Sequence, residues 1–144
     1  MTELVNANPD GLSELLPVPQ SLRAAAQLAQ RRGEPLVVMV TLKGCAFCDV
    51  VRNSYLAPMF RKGEVVAVQV NMLDRRTALQ TVSGETTTPY EQSRVWRARM
   101  APTLLFLDYE GREIAERLEG MGVADFYGAY LEERLLTARR KLKG

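Results

Sequence analysis

Two runs of apolar, largely β-branched residues constrain this fold most: "LVVMVTL" over 36–42 and "EVVAVQVNM" over 64–72. The first, a continuous apolar run bounded by turn residues, predicts a strand covered on both faces in the middle of a sheet, and the second predicts another apolar strand. Between them, Val50, Val51, Tyr55 and Leu56 recur at helical spacing up to Pro58, the expected end of that helix. Strand, helix, strand implies a parallel pair joined by a right-handed crossover.

Both cysteines lie in the turn that leaves the first strand, within "TLKGCAFCDVV", Thr41 to Val51. A disulfide between Cys45 and Cys48 closes so short a loop that it restricts the unfolded chain little, which makes stapling a poor explanation. The spacing suits reversible exchange, in which one thiolate attacks a partner disulfide and the other resolves the mixed disulfide. Cys45 falls at or just before the helix N-terminus, where unpaired N–H groups and the helix dipole favour a thiolate, with Lys43 nearby as a further positive charge. Cys45 is therefore the expected nucleophile and Cys48, a turn further in, the resolver. Other uses of the pair stand beside this one. Free cysteines also serve as small buried hydrophobes. A structural zinc normally takes four Cys or His ligands, against two Cys and no His here, whereas two thiolates suit Cu(I).

The flanking segments complete an α/β pattern. "SLRAAAQLAQRRG" predicts a helix capped by Ser21 and ended by Gly33 and Pro35. Residues 73–87 are polar, with Ser83-Gly84 as a turn signal, and fit either a small hairpin or a surface loop. Thr88 and Glu91 are spaced as a capping box with Pro89 at the first helical position. "PTLLFLD" and "REIAERLEG" are strand candidates turning at Gly111, and from about Val123 an amphipathic helix aligns Tyr127, Leu131, Leu135, Ala138 and Leu142.

Composition narrows the partners. With 144 residues, 47% hydrophobic and 25% charged, the chain fits one domain that can bury its own core without metal or staples. Its net charge is +2, and the basic end "ARRKLKG" suits a solvated last helical turn, so no nucleic-acid partner is expected. No apolar run approaches a membrane span, so membrane insertion is not expected either. The start has neither a basic n-region nor an apolar core; a mature exported protein with an added initiator Met has the same appearance.

The element order, the C-x-x-C after "VVMVTLKG" and the segment "MAPTLLFLDYEGREI" together resemble the thioredoxin fold. The resemblance covers residues 20–144, leaving 1–19 as an N-terminal extension. It implies a central mixed β-sheet flanked by helices, with an insert before the strand that opens with a cis-proline. It also implies that Pro102 is that proline, facing the cysteines and leaving the Ala101 backbone free to pair with an extended substrate; a trans-proline opening an edge strand is the plainer alternative. Ala46, Phe47, Ala101 and Pro102 are then the expected substrate contacts, although Phe47 could equally turn inward. Gly44 replaces the family's Trp before the first cysteine, Ala46-Phe47 its Gly-Pro, and Met39 its buried strand Asp. The aromatic before the second cysteine and the polar insert "RRTALQTVSGETTTPYEQSRVW" are more similar to bacterial periplasmic, sulfur-oxidation-associated (SoxW-type) proteins. That likeness implies a periplasmic reductase of protein disulfides, re-reduced by a membrane electron donor and needing no cofactor beyond its dithiol. Direction depends on the potential of the pair, which spacing does not encode. Without a buried carboxylate at position 39, the base for Cys48 is unassigned; Asp49, Lys43 and water are the nearby options.

Overall fold

The structure, a computed structural model, describes residues 8–144, so residues 1–7 of the expected N-terminal extension lie outside the described residues. Helix α1 (Leu22–Arg32) starts where the Ser21 hydroxyl accepts the Ala24 N–H and ends at Gly33, whose φ of 67° is the left-handed conformation that glycine adopts most easily. Strand β1 (Leu36–Thr41) is buried at every position and pairs in parallel with β2 (Val66–Asn71), which is buried throughout as well.

The connecting helix departs from its expected end. It begins as α2 (Ala46–Val50), passes through a π-helical segment over Val51–Leu56, and continues as α3 (Ala57–Arg61). In a regular helix the Pro58 ring would crowd the carbonyl four residues back and leave it without a donor. Here the turn widens, Ala57 N–H bonding to Arg52 O, and Pro58 falls in the first turn of a new α segment, where no N–H is needed. Val50, expected on the buried face, is exposed, because burying Cys48 and Val51 turns it outward, about 200° round the helix from Cys48. Arg52 is buried in its place.

After β2 the polar segment forms a small antiparallel hairpin, β3 (Leu79–Gln80) with β4 (Thr86–Thr87), which deals with the hairpin-or-loop alternative. Helix α4 (Pro89–Val95) follows, the Thr88 hydroxyl accepting the Glu91 N–H at 3.2 Å. Strand β5 (Thr103–Leu107) pairs antiparallel with β1 and with β6 (Glu113–Glu119), and Gly111 makes their turn at φ 87°. Helix α5 (Tyr127–Lys143) closes the chain; of its aligned residues Tyr127, Leu131, Leu135 and Ala138 are buried, whereas Leu142 in the last turn is half-buried.

The result is a mixed four-stranded sheet, ordered β2-β1-β5-β6, with helices on both faces. Leu36, Val38 and Val40 pack toward α1, while Val37 and Met39 pack with Val51, Leu56, Tyr127 and Leu131 in the second core. The outer edge of β2 is covered by the segment before α1: Gln69 N–H donates to Pro17 O, and its side-chain amide to Ser13 O and Leu16 O. Leu12, Leu16 and Val18 of that segment are buried. At the other edge, β6 exposes Glu113, Glu116 and Glu119, and the Arg134 guanidinium donates to Glu116 O. Among the described residues no helix is long and apolar enough to cross a membrane.

Asp74 organises the turn that follows β2. Its buried carboxylate accepts the Arg76 and Thr77 N–H groups at 2.8 and 3.1 Å and the Thr77 hydroxyl at 2.5 Å. Burial alone would raise its pKa; the Thr77 hydroxyl, the two N–H groups and the Arg76 charge outweigh it and hold the pKa below the ordinary 3.8. The contribution of the carboxylate is therefore complete above about pH 4 and is lost as pH falls through the lowered folded-state pKa. Urea unfolding should find Asp74→Asn less stable by about 1–2 kcal/mol at pH 7, with the gap closing toward pH 2. A gap independent of pH would show that the carboxylate charge does not hold this turn.

Candidate active site

The turn between β1 and α2 is made by Lys43 and Gly44. Gly44 has φ 81°, which strains any residue with a side chain, so the Trp-to-Gly departure is matched by the backbone. Lys43 leans away along the N-terminal segment: a Cβ added to Gly11 would stand 3.8 Å from its ammonium.

Cys45 is the N-cap residue of α2, and its Sγ accepts the Cys48 N–H at 3.1 Å. The two sulfurs are bonded, with Cα atoms 5.2 Å apart. Cys45 is half-buried at the surface and Cys48 is 0% exposed. A negative charge on Cys45 would therefore meet an N–H already aimed at it, together with the positive end of the helix.

The register of the sheet supplies the opposite wall. Val40 pairs with Thr103, so the residues before Thr103 run past those that follow Thr41. Ala101 O lies 3.8 Å from Cys45 Sγ, and the Ala101–Pro102 peptide is cis, with Pro102 buried. This loop is tied on several sides: the Thr103 hydroxyl donates to Met100 O at 2.7 Å, Gly120 N–H to Pro102 O at 2.8 Å, and Arg117 to Trp96 O at 2.8 Å. Phe47, 61% exposed, turns outward, Ala46 is exposed, and Met100 is 47% exposed. The structure thus gathers Cys45, Cys48, Ala46, Phe47, Ala101 and Pro102 around one disulfide.

Other sequence candidates lie elsewhere. Phe106 is fully buried in the core, Trp96 is half-buried against the core on the α1 side, and Tyr90 lies beneath the Arg75 guanidinium at 4.0 Å. Asp49, a nearby option as base, is 59% exposed and paired with Arg52 at 2.6 Å. Met39 leaves the sheet beneath the helix apolar, and Thr41, two residues on, has a buried hydroxyl with no partner among the described residues. Sequence reasoning passed over Arg52, although its position four residues after Cys48, in line with Val51, Tyr55 and Leu56, was a signal that it faces inward. Among the described residues, no three or more His, Cys, Asp and Glu side chains gather as a metal ion would require.

A cysteine pair closed at the first turn of a helix, across from a proline-containing loop and above a mixed sheet, defines a thioredoxin-like protein. The chain belongs to the thioredoxin-like domain family, whose sequence pattern matches residues 22–134. Among solved structures it is similar to a thioredoxin-fold protein from Helicobacter pylori, at 17% identity and TM-score 0.56 over 77% of this chain and 81% of that one. It is also similar to thioredoxin O1 from Arabidopsis thaliana in its oxidized state, at 18% and 0.53, and to Fasciola hepatica thioredoxin, at 18% and 0.52, each over 81% of this chain and 93% of the other. At these identities the likeness is one of fold. No curated protein matches the chain.

The unequal exposure of the cysteines gives a direct expectation. After reduction, iodoacetamide at neutral pH should label Cys45 first and Cys48 at least about tenfold more slowly, as read by peptide mass spectrometry. Labelling of Cys48 first would reverse the assignment of nucleophile and resolver.

Proposed function

We propose that this chain is a thiol:disulfide oxidoreductase acting on protein disulfides. The observation that carries the reading is the asymmetry of the pair: a surface Cys45 sulfur receiving the Cys48 N–H, and a Cys48 wholly buried behind it. In the reductive direction the Cys45 thiolate attacks one sulfur of the substrate disulfide, and the other substrate sulfur leaves with the electron pair and takes a proton. Cys48 gives up its proton and attacks Cys45 Sγ, the first substrate sulfur leaves as a thiol, and the Cys45–Cys48 disulfide remains. Two electrons pass to the substrate, and a dithiol donor must return two to the protein.

The substrate docks as an extended segment along Ala101, with Ala46, Phe47 and Pro102 against its flanks. Support comes from the carbonyl of Ala101 beside Cys45 and from the exposed Phe47 ring. The reading needs no cofactor beyond the dithiol, no nucleic acid and no membrane insertion. Phe47 and the polar insert favour a SoxW-type reductase of the bacterial periplasm, re-reduced by a membrane electron donor.

Two measurements test this. Insulin reduction with dithiothreitol should proceed with wild type and fall to background with Cys45→Ser, while Cys48→Ser should accumulate mixed disulfides with substrate. Equal trapping by both variants, or an inert wild type, would count against exchange as the function. Equilibration with dithiothreitol should give a reduction potential below about −200 mV if the protein is a reductase; a value near about −120 mV would make it an oxidant.

A further inference from the structure

Arg52 is the only Lys or Arg that is buried among the described residues, at 4% exposure. A buried guanidinium is unfavourable unless well paired. Its partners are Asp49 Oδ1 at 2.6 Å and Asn53 Oδ1 at 3.1 Å. Asp49 is 59% exposed, so water screens much of its charge and leaves the cation only partly offset. A cation this close to the start of a helix also opposes the helix dipole. Folding alone gives little reason to keep a charge here.

Its neighbour gives one. At about 100° per residue through α2 and somewhat less in the π turn that begins at Val51, Arg52 projects within about 40° of Cys48 round the helix, between it and Asp49. Long helical side chains lie back over the preceding turn, and the contact with Asp49 shows that this one does so. Its guanidinium is thus held over the first turn of α2, the turn that also carries the fully buried Cys48. Desolvation opposes a charge forming on a sulfur buried this deeply and would slow its attack.

The other groups packed nearby are occupied or uncharged. From β1 come Met39 and Thr41; the Lys43 ammonium leans toward Gly11; Asp10 of the N-terminal segment bonds Asn71 and Arg76; Tyr55 and Tyr127 of α5 pair at 5.3 Å. Of the charged groups, Asp49 alone contacts Arg52.

We propose that Arg52 is a positioning residue for the resolving step, its charge, held over the first turn by Asp49, stabilising the Cys48 thiolate. The inference rests on the exchange reading above. In that step the Cys48 S–H bond breaks, the thiolate forms a bond to Cys45 Sγ, the bond from Cys45 to the substrate sulfur breaks, and that sulfur leaves with its electron pair and takes up a proton.

Oxidised glutathione is a sufficient probe. The reduced full chain is mixed with it, quenched in acid at intervals, and resolved by mass into dithiol, glutathione mixed disulfide and internal disulfide, from pH 6 to pH 10. The first step reports Cys45 and the second Cys48. In Arg52→Met the inflection of the second step should move up by about one pH unit. Below the inflection that step should slow about threefold, the smaller thiolate fraction being partly offset by greater nucleophilicity. The first step should stay within about twofold of wild type, and Arg52→Lys should retain most of the wild-type profile. If Arg52→Met does not fold, Arg52→Gln, which can still bond Asp49 without the charge, should show the same shift. A wild-type second-step profile in a charge-free variant, equal slowing of both steps, or a Lys variant as displaced as the neutral one would overturn the proposal. A wild type that forms no mixed disulfide would instead remove the exchange reading beneath it.

Discussion

The antiparallel register that sets Val40 opposite Thr103 is the constraint on which the site depends. It brings the end of β1 and the start of β5 to the same edge of the molecule, so that Cys45 and Ala101, 56 residues apart in sequence, face each other. Alternation makes this register costly to change: a slip by one residue would send Val37 and Met39 to the wrong core and Leu36 and Val38 after them. Each buried aliphatic side chain contributes about 1.5–3 kcal/mol, so the hydrophobic sorting of β1, together with the hydrogen-bonded β1–β5 ladder, holds two distant segments in contact.

Much of this was legible in the sequence because burial on both faces leaves a plain mark. The apolar runs around Val38 and Val68 named the parallel pair, β1 in the middle of the sheet and β2 at its edge, and Ser21, Gly33, Thr88 and Gly111 marked element ends through capping and turn chemistry. The cysteine pair was visible from spacing alone. Harder to read was the helix that carries it. Pro58 was a reasonable stop signal, but a local widening of the backbone absorbed it, and no side-chain pattern announces a π segment. The same blind spot hid Arg52, since a charged residue among Val51, Tyr55 and Leu56 is ordinarily assigned to the wet face. The hairpin at Leu79 and Thr87 was ambiguous for a different reason: each strand has two residues, too few to display alternation.

The departures from common thioredoxin residues are linked through the backbone and the sheet. Gly44 accepts a left-handed turn where a Trp would be strained, and Met39 replaces a carboxylate with an apolar side chain. The strand position beneath the helix thus lacks an acid, while the helix itself carries a buried Arg52. Around the disulfide, Phe47 and Met100 are exposed and Arg52 is buried.

The acidic margin of β6 bears on how such a protein behaves in a crowded solution. A free strand edge invites a second copy to add its own strand, and this chain has one edge, along β2, already closed by its preceding segment. On the β6 edge Glu113 and Glu116 are paired with Arg117 and Arg134, Glu119 is exposed, and Arg134 also takes the Glu116 carbonyl that an incoming strand would need. Self-pairing there is opposed by charged side chains along the edge and by a carbonyl already taken. A guard of this kind makes stacking of copies through β6, the strand farthest in sheet order from β2, less favourable.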